Sequence, residues 1–187
     1  MSTNQRYLII VTITIKNNTL VQNSQTEVMS IEIERKFLVK STDFKTEMFQ
    51  KSHIKQGFLN TDKERTVRVR IVDDTGFLTV KGISNKQGTT RFEWEKEIAL
   101  EDARSLLLLA EKGIIEKHRY FVKVKNHTYE VDVFLEDNKG LVIAEIELDF
   151  ENEPFEKPHW LGKEVTGNKA YYNSSLSKNP FKSWERP

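Results

Sequence analysis

The sequence predicts an α+β domain that is mainly β, with eight strands, one substantial helix and short helical turns. Three observations carry this. Segment after segment from residue 30 onward alternates charged and apolar residues with period two, a single stretch has sustained helical spacing, and the 187 residues include only 8 glycines and 4 prolines. A chain of this length, 37% hydrophobic and 30% charged, can bury one core and does not need two.

The first 28 residues stand apart. Tyr7 to Ile15 is apolar and β-branched, but it is about half the length that spans a bilayer, and no small-residue cleavage site follows it. Asn17 to Gln25 is a polar, linker-like stretch. Residues 1–28 are therefore read as an N-terminal extension, either flexible or left by an upstream start codon ahead of a physiological Met29. A short added strand is the alternative. The domain itself is placed at 29–187.

Ile31 to Val39 opens it as a strand with Glu32, Glu34 and Lys36 on one side and Ile31, Ile33, Phe37 and Val39 on the other. Asp43 can cap a short helix over 44–50. Strands are expected over 53–60, 66–72, 76–81 and 90–100. Residues 101–112 form the strongest helical pattern, with Leu106, Leu107, Leu109 and Ala110 as its apolar surface and Gly113 placed to stop it. Strands follow at 117–125, 128–134 and 141–150. Pro154 and Pro158 then break the pattern, and helical turns are expected at 159–161 and 169–176. The Gly82 to Gly88 loop lacks the spacing of a phosphate-binding loop and reads as a hairpin connection.

The charged faces are the feature to explain. Arg68 and Arg70 share a side opposite Val67, Val69 and Ile71, and Thr79 and Lys81 oppose Leu78 and Val80. Glu93, Glu95 and Glu97 oppose Phe92, Trp94 and Ile98, while Lys117 and Arg119, Glu130 and Asp132, and Glu145 and Glu147 pair off in the same way. Two architectures satisfy this alternation. One is an antiparallel sheet with a wet charged face and its apolar face on the leucine-rich helix. The other is a barrel with charges inward and apolar faces outward, where Phe37, Phe92 and Trp94 need helices to cover them.

Composition excludes several classes. The formal charge is +1, so no global field points to nucleic acid or an anionic membrane. Zero cysteines rules out thiolate catalysis, disulfides and cysteine zinc sites, and reads as a cytoplasmic protein. His53, His118, His127 and His159 have no metal-pairing spacing and read as structural or exposed. Mixed signs on one face suit a different ligand. A polyphosphate needs several spaced cations, for which Lys36, Arg68, Arg70, Lys81, Lys117 and Arg119 are candidates. A divalent metal needs oxygen ligands, for which Glu32, Glu34, Glu145 and Glu147 are candidates.

Glu32-x-Glu34-x-Lys36 resembles the ExExK signature of the CYTH superfamily, the triphosphate tunnel metalloenzymes. The likeness continues in family order through TVRVR at 66–70, LTVKG at 78–82, ExExE at 93–97, KxRY at 117–120, EVD at 130–132 and AEIEL at 144–148. The run 160–166 and the Tyr171-Tyr172-Asn173 cluster look like the C-terminal part of bacterial members. This resemblance implies an eight-stranded antiparallel tunnel, open at both ends, with a charged interior and helices packed outside. It further implies metal-dependent hydrolysis of inorganic triphosphate or a small organic triphosphate, with Mg²⁺ or Mn²⁺ held by Glu32, Glu34, Glu145 and Glu147. Lys36 is the implied catalytic residue. Arg68, Arg70, Lys81, Lys117 and Arg119 join it along the phosphate path, supported by Glu93, Glu95 and Asp132.

The implied partner is a small triphosphate rather than nucleic acid or membrane. A CYTH-type adenylate cyclase, a thiamine triphosphatase and a noncatalytic polyphosphate or nucleotide-binding module are the alternatives. One departure bears on catalysis: similar bacterial members carry Tyr after the Gln-Gly pair, where this chain has Phe58.

Overall fold

Nine strands make one antiparallel sheet in the computed structural model, which describes residues 30–184 except 63, 85–89 and 112, and not the side chains of 30–32, 84, 90 and 91. The expected extension, residues 1–28, lies outside the described residues. The strands are β1 (Ser30–Val39), β2 (Met48–Asn60), β3 (Thr66–Val72), β4 (Thr75–Ser84), β5 (Thr90–Ile98), β6 (Ile115–Val124), β7 (His127–Phe134), β8 (Val142–Glu147) and β9 (Leu161–Glu164). The helices are α1 (Phe44–Glu47), α2 (Leu100–Leu108) and α3 (Asn173–Leu176), with single 3-10 turns at 136–138, 169–171 and 181–183.

The sheet runs β5-β4-β3-β2-β6-β7-β8-β1-β9, and an additional β5–β1 pairing brings its ends together. Closure is uneven. Residues 30–33 of β1 meet 90–93 of β5, whereas Phe37 and Val39 pair with β9 instead. This is the barrel of the two architectures, with a seam that β5 and β9 share. The β4–β5 connection is a hairpin as expected, its residues 85–89 lying outside the described set.

Period two decides which side chains turn outward. Phe37, Tyr120, Val122, Tyr129, Val131, Ala144 and Ile146 form the outer core with Phe44, Trp160 and Leu161. Trp160 is fully buried, edge-on to Tyr129 at 5.4 Å and to Phe44 at 6.1 Å, and its Nε1 donates to Glu47 at 2.9 Å. Burying each such aromatic contributes about 1.5–3 kcal/mol, so the short α1 and the segment before β9 are held by packing. On the other side of the barrel, α2 approaches the sheet closely. A Cβ on Gly76 would stand 2.7 Å from that of Ala103, which is fully buried.

Several elements differ from expectation. The 44–50 helix ends at Glu47 because Met48 turns extended and begins β2, which starts five residues early. The 101–112 helix ends at Leu108, and Leu109, placed on its apolar surface, is 74% exposed. So close a helix–sheet contact seats a small residue, and Ala103 takes that place. The turn expected at 159–161 is a single one, closed by Leu161 N to Pro158 O at 3.0 Å, and Leu161 begins β9, which docks on β1 through Val165 N to Lys36 O at 2.8 Å and a two-bond Arg35–Glu164 pair. The turns of 169–176 are present. Phe92, expected under helix cover, is 37% exposed.

The resemblance implied a tunnel open at both ends, and the interior is instead filled at one. Ile115, Phe134, Ile143 and Leu38 continue the same alternating faces as Lys117, Asp132, Glu145 and Lys36. They cluster with Leu141, the fully buried Leu176 of α3, and Tyr171, Phe181 and Trp184. The interior is therefore layered along its axis, apolar where the C-terminal segment closes it and charged beyond.

Candidate active site

The charged layers surround one cavity of about 1170 Å³. Ten of the thirteen nominated side chains line it: Glu34, Lys36, Arg68, Arg70, Lys81, Glu93, Glu95, Arg119, Glu145 and Glu147. Lys117 and Asp132 are fully buried and are not among the lining residues. The Glu32 side chain is outside the described set, although its backbone pairs with Arg91 on β5.

Strand register brings these groups together. β1 and β8 set Glu34 opposite Glu147 and Lys36 opposite Glu145; β7 sets Glu130 opposite Glu145; β6 sets Arg119 opposite Asp132. Lys36 Nζ donates to Glu145 and stands 3.2 Å from Glu34 Oε1. Arg119 spends every donor group on carboxylates: Nε to Asp132 at 2.7 Å, one terminal nitrogen to Glu130, the other to Asp132 at 2.7 Å and Glu145 at 3.0 Å. Lys117 is ion-paired to the same Asp132.

Burial and partners set the ionisation of this network. Burial pushes Lys117 down to about 8 against the pull of Asp132. Burial would raise Glu145 and Asp132, but Lys36 and Arg119 outweigh it at Glu145, and Arg119 and Lys117 at Asp132, holding both carboxyls below their usual range. For Glu130 burial prevails, and its pKa is raised.

The β3–β5 wall is built differently. A single terminal nitrogen of Arg68 reaches Thr79 at 3.1 Å and Glu95 at 3.4 Å, and one of Arg70 reaches Glu95 at 2.8 Å. The Nε atoms of both arginines are buried without a hydrogen-bond partner. Burial, reinforced by neighbouring Arg70, lowers Arg68 to about 10. Lys81 is paired with Glu93. Two arginine forks with donors to spare, facing a cavity, fit a ligand rich in acceptor oxygens.

For a metal the donor chemistry is the test. Glu34, Glu145 and Glu147 offer carboxylate oxygens from adjacent strands in register, the hard donors that Mg²⁺ and Mn²⁺ prefer. Among the described residues no group of three or more His, Asp or Glu stands close enough to hold an ion. Lys36 occupies Glu34 and Glu145 in this arrangement, so a cation would have to take over carboxylates now paired with the lysine.

Other lining residues escaped the sequence reading. His127, tied to Glu153 at 2.9 Å, borders the cavity with Asn126, Thr128 and Asp149. Ile33 and Trp94, assigned outward by alternation, also border it on the strands that flank the β1–β5 seam. Asn173 does so from α3, and its only signal was the Tyr171-Tyr172-Asn173 cluster.

A β-barrel whose interior interleaves arginine, lysine and carboxylate around one cavity has donors suited to a small polyanion and oxygens suited to a cation. The CYTH domain matches residues 30–180. The chain is 48% identical over 158 residues to an inorganic triphosphatase of Acetivibrio thermocellus, covering 84% of this chain and 99% of that one. It is 33% identical to an inorganic triphosphatase of Nitrosomonas europaea, covering 78% and 96%. The crystal structure of an inorganic triphosphatase superposes with a TM-score of 0.58 at 32% identity, covering 78% of this chain and 93% of that one. The chain belongs to the CYTH family.

Proposed function

We propose that this protein is a divalent-metal-dependent triphosphatase that hydrolyses inorganic triphosphate inside the barrel. The observation that carries the reading is the convergence of Lys36, Arg68, Arg70 and Lys81 with Glu34, Glu145 and Glu147 on one cavity. Its volume also admits a small organic triphosphate.

Arg68 and Arg70 line the cavity and bind phosphate oxygens through guanidinium donors not committed to Thr79 and Glu95, and Lys81 and Lys36 add charge as the terminal phosphoryl group becomes more anionic in the transition state. Lys36 is the catalytic residue of this proposal because it lies between the carboxylates and the phosphate path. Glu93 and Glu95 hold Arg68, Arg70 and Lys81 in place. Arg119 lines the path with its donors already committed, while Lys117 and Asp132 support it from below. Glu32, Glu34, Glu145 and Glu147 would hold Mg²⁺ or Mn²⁺, which when bound neutralises phosphate charge and orients water.

No described helix is long and apolar enough to cross a membrane. A cytoplasmic setting and a small-molecule partner rather than nucleic acid are part of the same proposal, supported by the cysteine-free sequence and the charge of +1.

Phosphate release with Mg²⁺ or Mn²⁺, measured across inorganic triphosphate, ATP and thiamine triphosphate, tests it. Inorganic triphosphate is expected to be turned over best. Release of pyrophosphate from ATP with formation of a cyclic nucleotide, preference for the thiamine ester, or binding without turnover would each select a different reading. Glu34→Gln and Glu147→Gln are expected to abolish metal-dependent turnover while the circular dichroism spectrum stays native. Unchanged metal dependence in both would reject the carboxylate assignment.

A further inference from the structure

Lys36, Arg68 and Lys81 border two spaces. One is the large cavity, and the other is a small adjoining one of about 50 Å³. Beyond these cations and Glu34, the small cavity is lined by neutral groups: Phe58 and Thr66 from the barrel, and Tyr172, Asn173 and Ser174 from the C-terminal segment. Asn173 belongs to both linings. A single water needs roughly 10–15 Å³ of such space, so the small cavity holds about three or four waters, or one phosphoryl group, and not a run of them.

The segment that closes this space is firmly fixed. Tyr172 O accepts from Ser175 N and Leu176 N at 2.9 Å each, and Asn173 O accepts from Ser177 N at 2.9 Å. Leu176 is sunk in the apolar filling of the barrel, and Tyr171 packs edge-on to Trp184 at 5.3 Å. Gly113, at φ +100°, lies so close behind α3 that a Cβ there would fall 1.7 Å from Ser177 O. Asn138 Oδ1 accepts from Phe181 N at 2.8 Å and ties down the remainder.

We propose that Tyr172, Asn173 and Ser174 form a fixed end wall that seats the terminal phosphoryl group and limits the length of the phosphate chain the site accepts. The proposal rests on the triphosphatase reading above and adds a determinant of chain length to it. Hydroxyl and amide groups suit this position because they donate to phosphate oxygens without carrying a negative charge that would repel them. The cations at the boundary of the two spaces then lie beside the terminal phosphoryl group, and the rest of the chain extends into the large cavity. A longer linear polyphosphate can seat one end here and cannot thread through.

The test compares affinities for pyrophosphate, inorganic triphosphate and a long linear polyphosphate, the last per chain end. They are measured by calorimetry on the full chain without divalent ion, alongside hydrolysis with Mg²⁺. Preference for triphosphate over the long polymer is expected to fall about tenfold in Tyr172→Ala and Asn173→Ala and to persist in Tyr172→Phe, which keeps the bulk of the wall. Asn173→Leu adds bulk to the small cavity and is expected to shift preference toward pyrophosphate. The melting temperature of each variant identifies any that fails to fold, and Asn173→Leu tests the wall without opening it. An unchanged order of preference in folded Asn173→Ala and Asn173→Leu would overturn the wall. Failure to hydrolyse triphosphate, with the shifts in binding preference intact, would overturn the triphosphatase reading alone.

Discussion

The two sides of the barrel interior use the same residue types to opposite ends. On β6, β7 and β8 the charges saturate one another: Arg119 meets three carboxylates, and Lys117 is sealed against Asp132 at 1% exposure. On the β3–β5 wall Arg68 and Arg70 keep buried Nε donors without a hydrogen-bond partner among the described residues, and each commits a single terminal nitrogen. The difference separates framework from binding surface. A saturated network gains little from a ligand and loses much if one member is removed, whereas an unsaturated one is incomplete until acceptor oxygens arrive.

Removing one member of the saturated side should therefore have the largest effect. Asp132→Ala leaves Lys117 buried without its carboxylate and is expected to cost about 3–5 kcal/mol, a drop of roughly 10 °C in melting temperature followed by calorimetry. A variant as stable as the parent would show that the β6–β8 network is not framework.

Next comes the unsaturated side. Arg68→Ala is expected to lower kcat/KM for inorganic triphosphate about 100-fold, close to 3 kcal/mol, with the melting temperature nearly unchanged. If the loss appeared in stability rather than turnover, the contrast between the walls would collapse.

Acid should distinguish them more gently. Glu145 and Asp132 have folded pKa values below their ordinary 4.5 and 3.8, so they bind protons less readily folded than unfolded. Their contribution is complete above the ordinary values and is lost as pH falls through the folded ones. Glu130, raised by burial, works in the opposite direction. Melting temperature against pH is expected to slope downward below about pH 4.5. Glu145→Gln should flatten that slope, and an equally steep one would remove Glu145 from the account.

Phe58→Tyr is the smallest change. Phe58 lines the small cavity beside Lys36 and Arg68, so an added hydroxyl is expected to raise turnover a few-fold, about 1 kcal/mol or less, or to move the pH optimum. No change in either, with Lys36→Ala inactive, would mean that the lysine acts without a hydroxyl partner.

Much of the site was legible because alternation shows which residues share a face. Glu34, Lys36, Arg68, Arg70, Lys81, Arg119, Glu145 and Glu147 were all placed on one side, and all line the cavity. Alternation says nothing of depth along the barrel. Lys117 looks equivalent to Arg119 from its spacing, yet one layer closer to the apolar end it is sealed against Asp132. Ile143 and Phe134 share the charged faces for the same reason, and only three-dimensional layering reveals them as filling. β9 was missed because a four-residue strand containing Gly162 has too little pattern to read, and its place is set by Arg35 and Lys36, far away in sequence.

The filled end has a consequence for how the molecule is made. Leu176, near the finish of the chain, completes an interior whose other members come from Leu38, Ile115, Phe134 and Ile143, and β1 finds its neighbours only in β8 and β9 along most of its length. During synthesis the part of β1 beyond Ile33 must wait, its edges unpaired, while more than a hundred residues follow it, as the 109-residue separation of Lys36 and Glu145 shows. Contacts that distant slow folding and keep partial chains sticky. A fragment truncated before α3 should resist proteolysis poorly, and protection should return in one that includes residue 176.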